Sequence, residues 1–233
     1  MVGSWVSRMW PLGRRFPGVH ATAVVHPQAH IAPTAIVGPF CVIGPNVQLH
    51  HGVKLHSHVH VDGHTEVGKG SVVHSHSVLG ALPQDLKYRG EDSHLKIGAE
   101  CAIHSHAHIC GGTAVGGGVT TIDDHALIMS FTHVGHDSQM GKRVILASRS
   151  SIAGHVVMED DSIVSGDCNV HQKVTVGTGA FLGSSSTLYH DLVPYGMATG
   201  RHASLEGLNL RGLRRRGVRG VEQREMLRAI KYM

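Results

Sequence analysis

Branched apolar residues recur along this chain at intervals of six. Val19, Val25, Ile31, Val37, Ile43, Leu49, Leu55, Val61, Val67, Val73 and Leu79 share one register, and a second runs from Ile122 through Val134, Leu146, Ile152 and Val170 to Leu188. Four places after each of the first set stands a small or β-branched residue, such as Ala35, Cys41, Val47, Thr65 or Ser71. In an α-helix a step of six leaves successive positions about 240° apart, so no apolar face forms. Six is a multiple of the strand period of two, and the position four after one repeat lies two before the next. Both point inward from one short strand, and the residues between them turn. Three hexads then close a triangular coil of 18 residues, and stacked coils make a prism of parallel strands around an aliphatic interior.

The register breaks twice. From Leu79 to Ile97 the spacing remains a multiple of six, but residues 80–96 carry charge and no hexad signal, which predicts a projecting loop. Ile109 and Ile122 are one residue more than two hexads apart across the glycine-rich GGTAVGGGVTT, which predicts a second excursion. Loops on so regular a scaffold are where function is expected. After Pro194 the repeat stops, and from about Glu206 the chain reads as helical, with Val221, Met226, Leu227 and Ile230 spaced for one apolar face. The predicted organisation is a lead over 1–18, an all-β coil over 19–200 and a short α-helical segment over 201–233.

Composition narrows this further. With 233 residues, 41% hydrophobic but only 4% aromatic, and 30 glycines, the chain is neither a disulfide-stapled miniprotein nor disordered. Its core is filled by small and branched side chains, as a narrow prism requires. No apolar run is long enough to span a bilayer. Cys41, Cys101 and Cys168 fall at the small inward position, and no CxxC pair suggests a disulfide framework or zinc knuckle. The +4 net charge is wholly C-terminal: nine basic residues face three acidic ones after position 200, twelve face fourteen before it. Such a tail suits a phosphate-bearing or acidic partner, with no nucleic acid implied. Residues 1–18 hold Arg8, Arg14 and Arg15 and no acidic residue, the composition of a transit peptide, so a mitochondrial location is expected.

Of the 22 histidines most occupy polar turn slots. The coil length stacks His56 beside His74 and His58 beside His76, but a straight ladder does not supply a closed tetrahedral set, so no metal or cofactor is assigned. One column is sharper. His136 is followed 18 residues on by Gly154, flanked by His155, and one coil later by Gln172, flanked by His171. Asp137 adjoins His136, and His133 precedes it by three. An oriented imidazole serves as a general base, and a turn-glycine N–H suits a developing oxyanion.

The segments QDLKYRGE (84–91), GGTAVGGGVT (111–120), THVGHDSQMG (132–141), LASRSSIAGHV (146–156), VHQKVTVG (170–177) and RHASLEGLNLRGLRRRG (201–217) resemble the hexapeptide-repeat acyltransferases, and within them the UDP-N-acetylglucosamine acyltransferases of lipid A synthesis. The resemblance implies a left-handed parallel β-helix and a homotrimer with sites between subunits. It also implies transfer of a 3-hydroxyacyl chain from acyl carrier protein to the glucosamine 3-hydroxyl of UDP-N-acetylglucosamine. Carried over by motif, His136 is the general base, Asp137 its partner and the Gly154 N–H the oxyanion donor. His133, His155, His171 and Gln172 shape the sugar and acyl site, and Asp85 and Lys87 contact substrate. Asn209, Arg215 and Arg216 serve the nucleotide end, and Ser184 bears on acyl-chain length. Cys110 stands where the family carries a histidine and Arg211 where it carries a glutamate. The family continues into further C-terminal helices, which gives an expectation of weaker substrate binding for a chain stopping at Met233. Two alternatives are a zinc-dependent hexapeptide carbonic anhydrase-like enzyme and a catalytically silent trimeric scaffold.

Overall fold

The computed structural model describes residues 18–230. The expected transit peptide lies outside the described residues but for Gly18. Most strands are two residues long and give one inward and one outward side chain, as in Ile36–Val37, where Val37 is buried. Strands three apart in sequence pair in parallel, building faces of nine, eight and ten strands. The first face runs from Val24–Val25 to Thr187–Leu188, the second from His30–Ile31 to Thr175–Val176, and the third from Ile36–Val37 to Phe181–Leu182 and beyond. The fold is a left-handed parallel β-helix.

Register follows the hexads. Val24 pairs with Val42, Val42 with His60 and His60 with Val78, each one 18-residue coil apart. Val78 then pairs with His108 and His108 with His133, so one coil gains twelve residues and the next gains seven. The second excursion is therefore a seven-residue insertion into one hexad step, rather than one residue beyond two hexads. Both insertions leave the same corner, between the first and second faces. The inward positions form one continuous core, and the thiols of Cys41, Cys101 and Cys168 lie in it. Buried hydroxyls at the same position bond to neighbouring carbonyls, as Ser71 does to Gly98 (2.8 Å) and Ser77 to His104 (2.9 Å). A hydroxyl there therefore satisfies itself inside the prism.

At most corners one residue adopts positive φ, close to +60° at His58, His76, His106, His125 and His155. Among non-glycine residues, Asn, Asp and His tolerate this conformation best, which accounts for part of the histidine excess. Successive coils stack these corners, so Phe40, His58, His76, His106 and Phe131 form a ring column with centroids 4.6–5.1 Å apart. Above it the column continues as a bidentate pair between Arg149 and Asp167 (2.6 and 2.7 Å).

The C-terminal region differs from the helical expectation. Gly196–Thr199 and Ser204–Leu208 form an antiparallel hairpin that extends the third face, followed by helices α1 (Leu210–Arg215) and α2 (Val221–Ile230). The alternation in Ser204–Leu208 fits a strand edge, and the helix begins only at the Asn209 cap. No helix among the described residues is long and apolar enough to cross a membrane.

The parallel column His56, His74 and His104 titrates with folding. Burial foremost, then the flanking His56 and His104, holds the His74 imidazole down from its ordinary 6.5 to about 4. The unfolded chain takes up this proton more readily, so stability is lost progressively as pH falls from about 6.5 towards about 4. Thermal unfolding followed from neutral pH to pH 4 should show a falling midpoint, and His74→Gln should flatten part of that fall.

Candidate active site

The corner between the first and second faces gathers the strongest chemistry. His136 and Asp137 occupy the turn between the strands His133–Val134 and Gln139–Met140, with Asp137 at φ +59°. That conformation turns the carboxylate back beneath the preceding imidazole. His136 Nδ1 lies 2.7 Å from Asp137 Oδ2, and the carboxylate side chain is wholly buried.

A buried carboxylate is costly unless hydrogen bonds stabilise it. The glycine-rich insertion supplies them. Thr113 donates its backbone N–H to Asp137 Oδ1 and its hydroxyl to Oδ2, both at 2.7 Å, while the Asp137 N–H donates to Thr120 Oγ1 at 2.8 Å. Gly116 packs on the carboxylate so closely that a Cβ there would collide with it. Thr113 also caps the short 3-10 turn Ala114–Gly116. Thr113, Thr120 and Gly116 were not assigned from sequence. The two threonines that flank the glycines in GGTAVGGGVT were the available signal.

Gly154 lies one coil above His136, and its missing side chain is required. A Cβ at Gly154 would sit 2.6 Å from both Nε2 and Cε1 of His136. The imidazole therefore rests on the Gly154 backbone, with Nε2 directed there and Nδ1 held by Asp137. His155, also left-handed, meets His136 edge to face at 5.1 Å between centroids, its Nε2 3.7 Å from Asp137 Oδ2. The loop folds towards this corner. The Asp85 carboxyl lies below its ordinary value, chiefly through the Lys87 N–H (2.9 Å) and further through the charges of His136 and His155.

His133 stands on the adjoining strand, its Nδ1 3.2 Å from Nδ1 of His108. Burial first, then the neighbouring His108 and His136, depresses its pKa. His171 and Gln172 continue the column and are exposed, with His171 against Tyr189 at 5.7 Å.

The remaining candidates lie elsewhere on the prism. Exposed Ser184 is on the corner between the third and first faces. Asn209 is largely buried. Its side chain accepts from the Gly212 N–H (2.9 Å) and donates to the Gly179 carbonyl (3.0 Å), so it caps α1 and ties it to the coil. Arg216 reaches Asp161 at 2.6 Å on the corner between the second and third faces, with its guanidinium 5.4 Å from the Tyr195 ring centre. Arg215 is exposed on α1. One chain thus groups His136, Asp137, Gly154, His133, His155 and Asp85 but places Ser184 and Arg216 on two other corners. Two groups could hold a metal by spacing: His136, Asp137 and His155, and His108, Cys110 and His133.

Comparison with known proteins bears on this arrangement. Residues 191–233 match the family described as Udp N-acetylglucosamine O-acyltransferase, domain 2. The acyl-[acyl-carrier-protein]--UDP-N-acetylglucosamine O-acyltransferase of Paracoccus denitrificans is 47% identical over 162 residues, covering 70% of this chain and 60% of that protein. The chain thus spans less than two thirds of the length of that relative. Two solved structures superpose on more of it. LpxA from Acinetobacter baumannii matches with a TM-score of 0.91 and 36% identity, covering 92% of this chain and 83% of its own. The Arabidopsis UDP-N-acetylglucosamine acyltransferase matches with a TM-score of 0.81 and 35% identity, covering 91% and 82%. With this identity sustained over nine tenths of the chain, it belongs to the UDP-N-acetylglucosamine O-acyltransferase family.

Proposed function

We propose that the chain transfers a 3-hydroxyacyl group from the thioester of acyl carrier protein to the glucosamine 3-hydroxyl of UDP-N-acetylglucosamine, a first step of lipid A-type synthesis. The observation that carries the reading is the His136–Asp137 pair lying on the Gly154 backbone. Family names supply the substrates, and the geometry supplies a route. Asp137 accepts a hydrogen bond from Nδ1–H and so leaves the lone pair of the neutral ring on Nε2. Nε2 removes the sugar hydroxyl proton as that oxygen bonds to the thioester carbonyl carbon. The carbonyl oxygen gains charge, which the Gly154 N–H receives, and collapse expels the carrier thiolate. The imidazolium returns its proton to that thiolate, so the ring and the buried carboxylate end as they began.

The exposed Asp85 and Lys87 loop approaches the same corner and offers polar contacts to the sugar. Ser93 of this loop donates its hydroxyl to the Gly112 carbonyl of the glycine-rich insertion (2.8 Å), which fastens the two excursions together. They expose Leu82, Leu86 and Val115, with Leu86 97% accessible. An apolar rim of this kind suits coverage by a neighbouring subunit in a homotrimer. Placement of Ser184 and Arg216 on other corners supports the same reading, because a site between subunits can combine corners that one chain keeps apart. The carbonic anhydrase-like and silent-scaffold alternatives gain no support from the relatives found.

His136→Ala should lower labelled acyl transfer from acyl carrier protein to UDP-N-acetylglucosamine by about 10²–10⁴-fold, the usual share of a general base, while the sedimentation coefficient is unchanged. Full activity in that variant would refute the assignment. Thr113→Val removes one donor from the Asp137 carboxylate and should reduce kcat about tenfold with little change in KM for the nucleotide sugar. A rise in KM at constant kcat would instead place Thr113 in substrate binding.

A further inference from the structure

A second group of side chains on the first face is not needed in full by acyl transfer. His108 and His133 are register neighbours on adjacent strands, and both rings stand off the same side of the sheet. Their Nδ1 atoms are 3.2 Å apart and their ring centroids 5.3 Å apart. Cys110 lies two residues after His108, so the strand period turns it to the same side. Its Sγ is 3.9 Å from His108 Nδ1, and all three ligand atoms fall within 4.8 Å of one another.

We propose that His108, Cys110 and His133 form a zinc-type divalent-metal site, with the two Nδ1 atoms and the Cys110 thiolate as ligands. The geometry carries this. Two imidazoles on a tetrahedral ion, each at about 2.0–2.1 Å, place their nitrogens about 3.3 Å apart and their ring centroids about 5.2 Å apart. The observed 3.2 and 5.3 Å match both distances. A nitrogen and a thiolate on the same ion would be about 3.6 Å apart, so the Cys110 side chain has only a small rotation to make from 3.9 Å. The histidine ladder lacks this arrangement. His74 and His104 stack with ring centroids 4.7 Å apart, closer than the separation of about 5.2 Å that two imidazoles on one tetrahedral ion require.

The hydrogen bonds of His108 Nδ1 to His133 Nδ1 and to the Cys110 thiol run between the proposed ligands and would be exchanged for bonds to the ion, whereas the other candidate group is tied to residues outside it. Asp137 accepts from the N–H and hydroxyl of Thr113 and from His136, so its oxygens serve the imidazole. In the proposed site only the thiol proton must leave: Cys110 loses H⁺ to solvent as sulfur bonds the ion, and both histidines donate lone pairs. Two imidazoles and one thiolate favour zinc over magnesium or calcium, which prefer oxygen. Three protein ligands leave a fourth position for water. The thiol is buried beside the backbone of Gln84 at the root of the projecting loop, so a bound ion would also brace that loop.

The assignment is independent of the acyl-transfer reading, because its test reads metal binding alone. Chelator-treated full-length chain titrated with Co²⁺, a spectroscopic substitute for Zn²⁺, should develop a thiolate-to-cobalt charge-transfer band that saturates at one equivalent, and Zn²⁺ should displace it. Cys110→Ser should abolish the band. His108→Ala should weaken Co²⁺ binding by at least about tenfold, as loss of a direct ligand must exceed loss of an outer partner. Absence of the band in the unsubstituted chain, or its survival in both variants, would overturn the proposal. Cys41, Cys101 and Cys168 lie in the prism interior, so a band retained in Cys110→Ser would report a disrupted fold or a different site, and either outcome counts against it.

Discussion

Every coil must set its inward side chains directly over those of the coil below, and this stacking constraint governs the molecule. It fixes the step at 18 residues wherever no insertion intervenes, as between His133 and Ser151. It restricts the interior to branched and small residues, since each prism layer has no room for rings. It also takes most corners through a positive-φ residue, where a side chain other than glycine sits under strain of about 1–2 kcal/mol. Histidine and aspartate bear that conformation comparatively well, and their side chains then stack in columns along the edges.

The candidate active site is a local use of the same corner. Asp137 takes the strained position that most corners provide, and its carboxylate points back at the imidazole of the residue before it. Water is excluded because the coil gains an insertion there. Thr113 and Gly116 close over the carboxylate, and the Thr113 N–H and hydroxyl stabilise a charge that burial would otherwise penalise. Gly154, one coil above, provides the flat backbone on which the ring rests. Site precision therefore comes from register: a one-residue slip between these coils would move Gly154 away from His136 and replace it with a residue bearing a Cβ.

The hexads made the fold readable in advance, because a period of six has a single structural solution once a helix is excluded. The column through His136 and Gly154 was readable for the same reason, as both occupy the same slot in successive coils. The grip of Thr113 on Asp137 was not readable, since the conformation of a glycine-rich insertion leaves no periodic trace. The chain reads as helical from about Glu206, whereas Ser204–Leu208 is the second strand of a hairpin, whose short alternation is obscured by Gly200 and Gly207. Asn209 shows a further limit: a polar residue in a family motif serves to cap α1, which only its partners Gly212 and Gly179 reveal. The distribution of candidates over three corners likewise needed the third dimension.

The buried Asp137 carboxylate fixes the orientation and tautomer of His136. Nitrogen-15 NMR of histidine-labelled protein, with His136 assigned by its loss in His136→Gln, reads this directly. The neutral His136 ring should carry its proton on Nδ1, with Nε2 unprotonated, and Asp137→Asn should shift the ring towards the other tautomer. A neutral His136 protonated on Nε2, or a tautomer indifferent to Asp137→Asn, would contradict it.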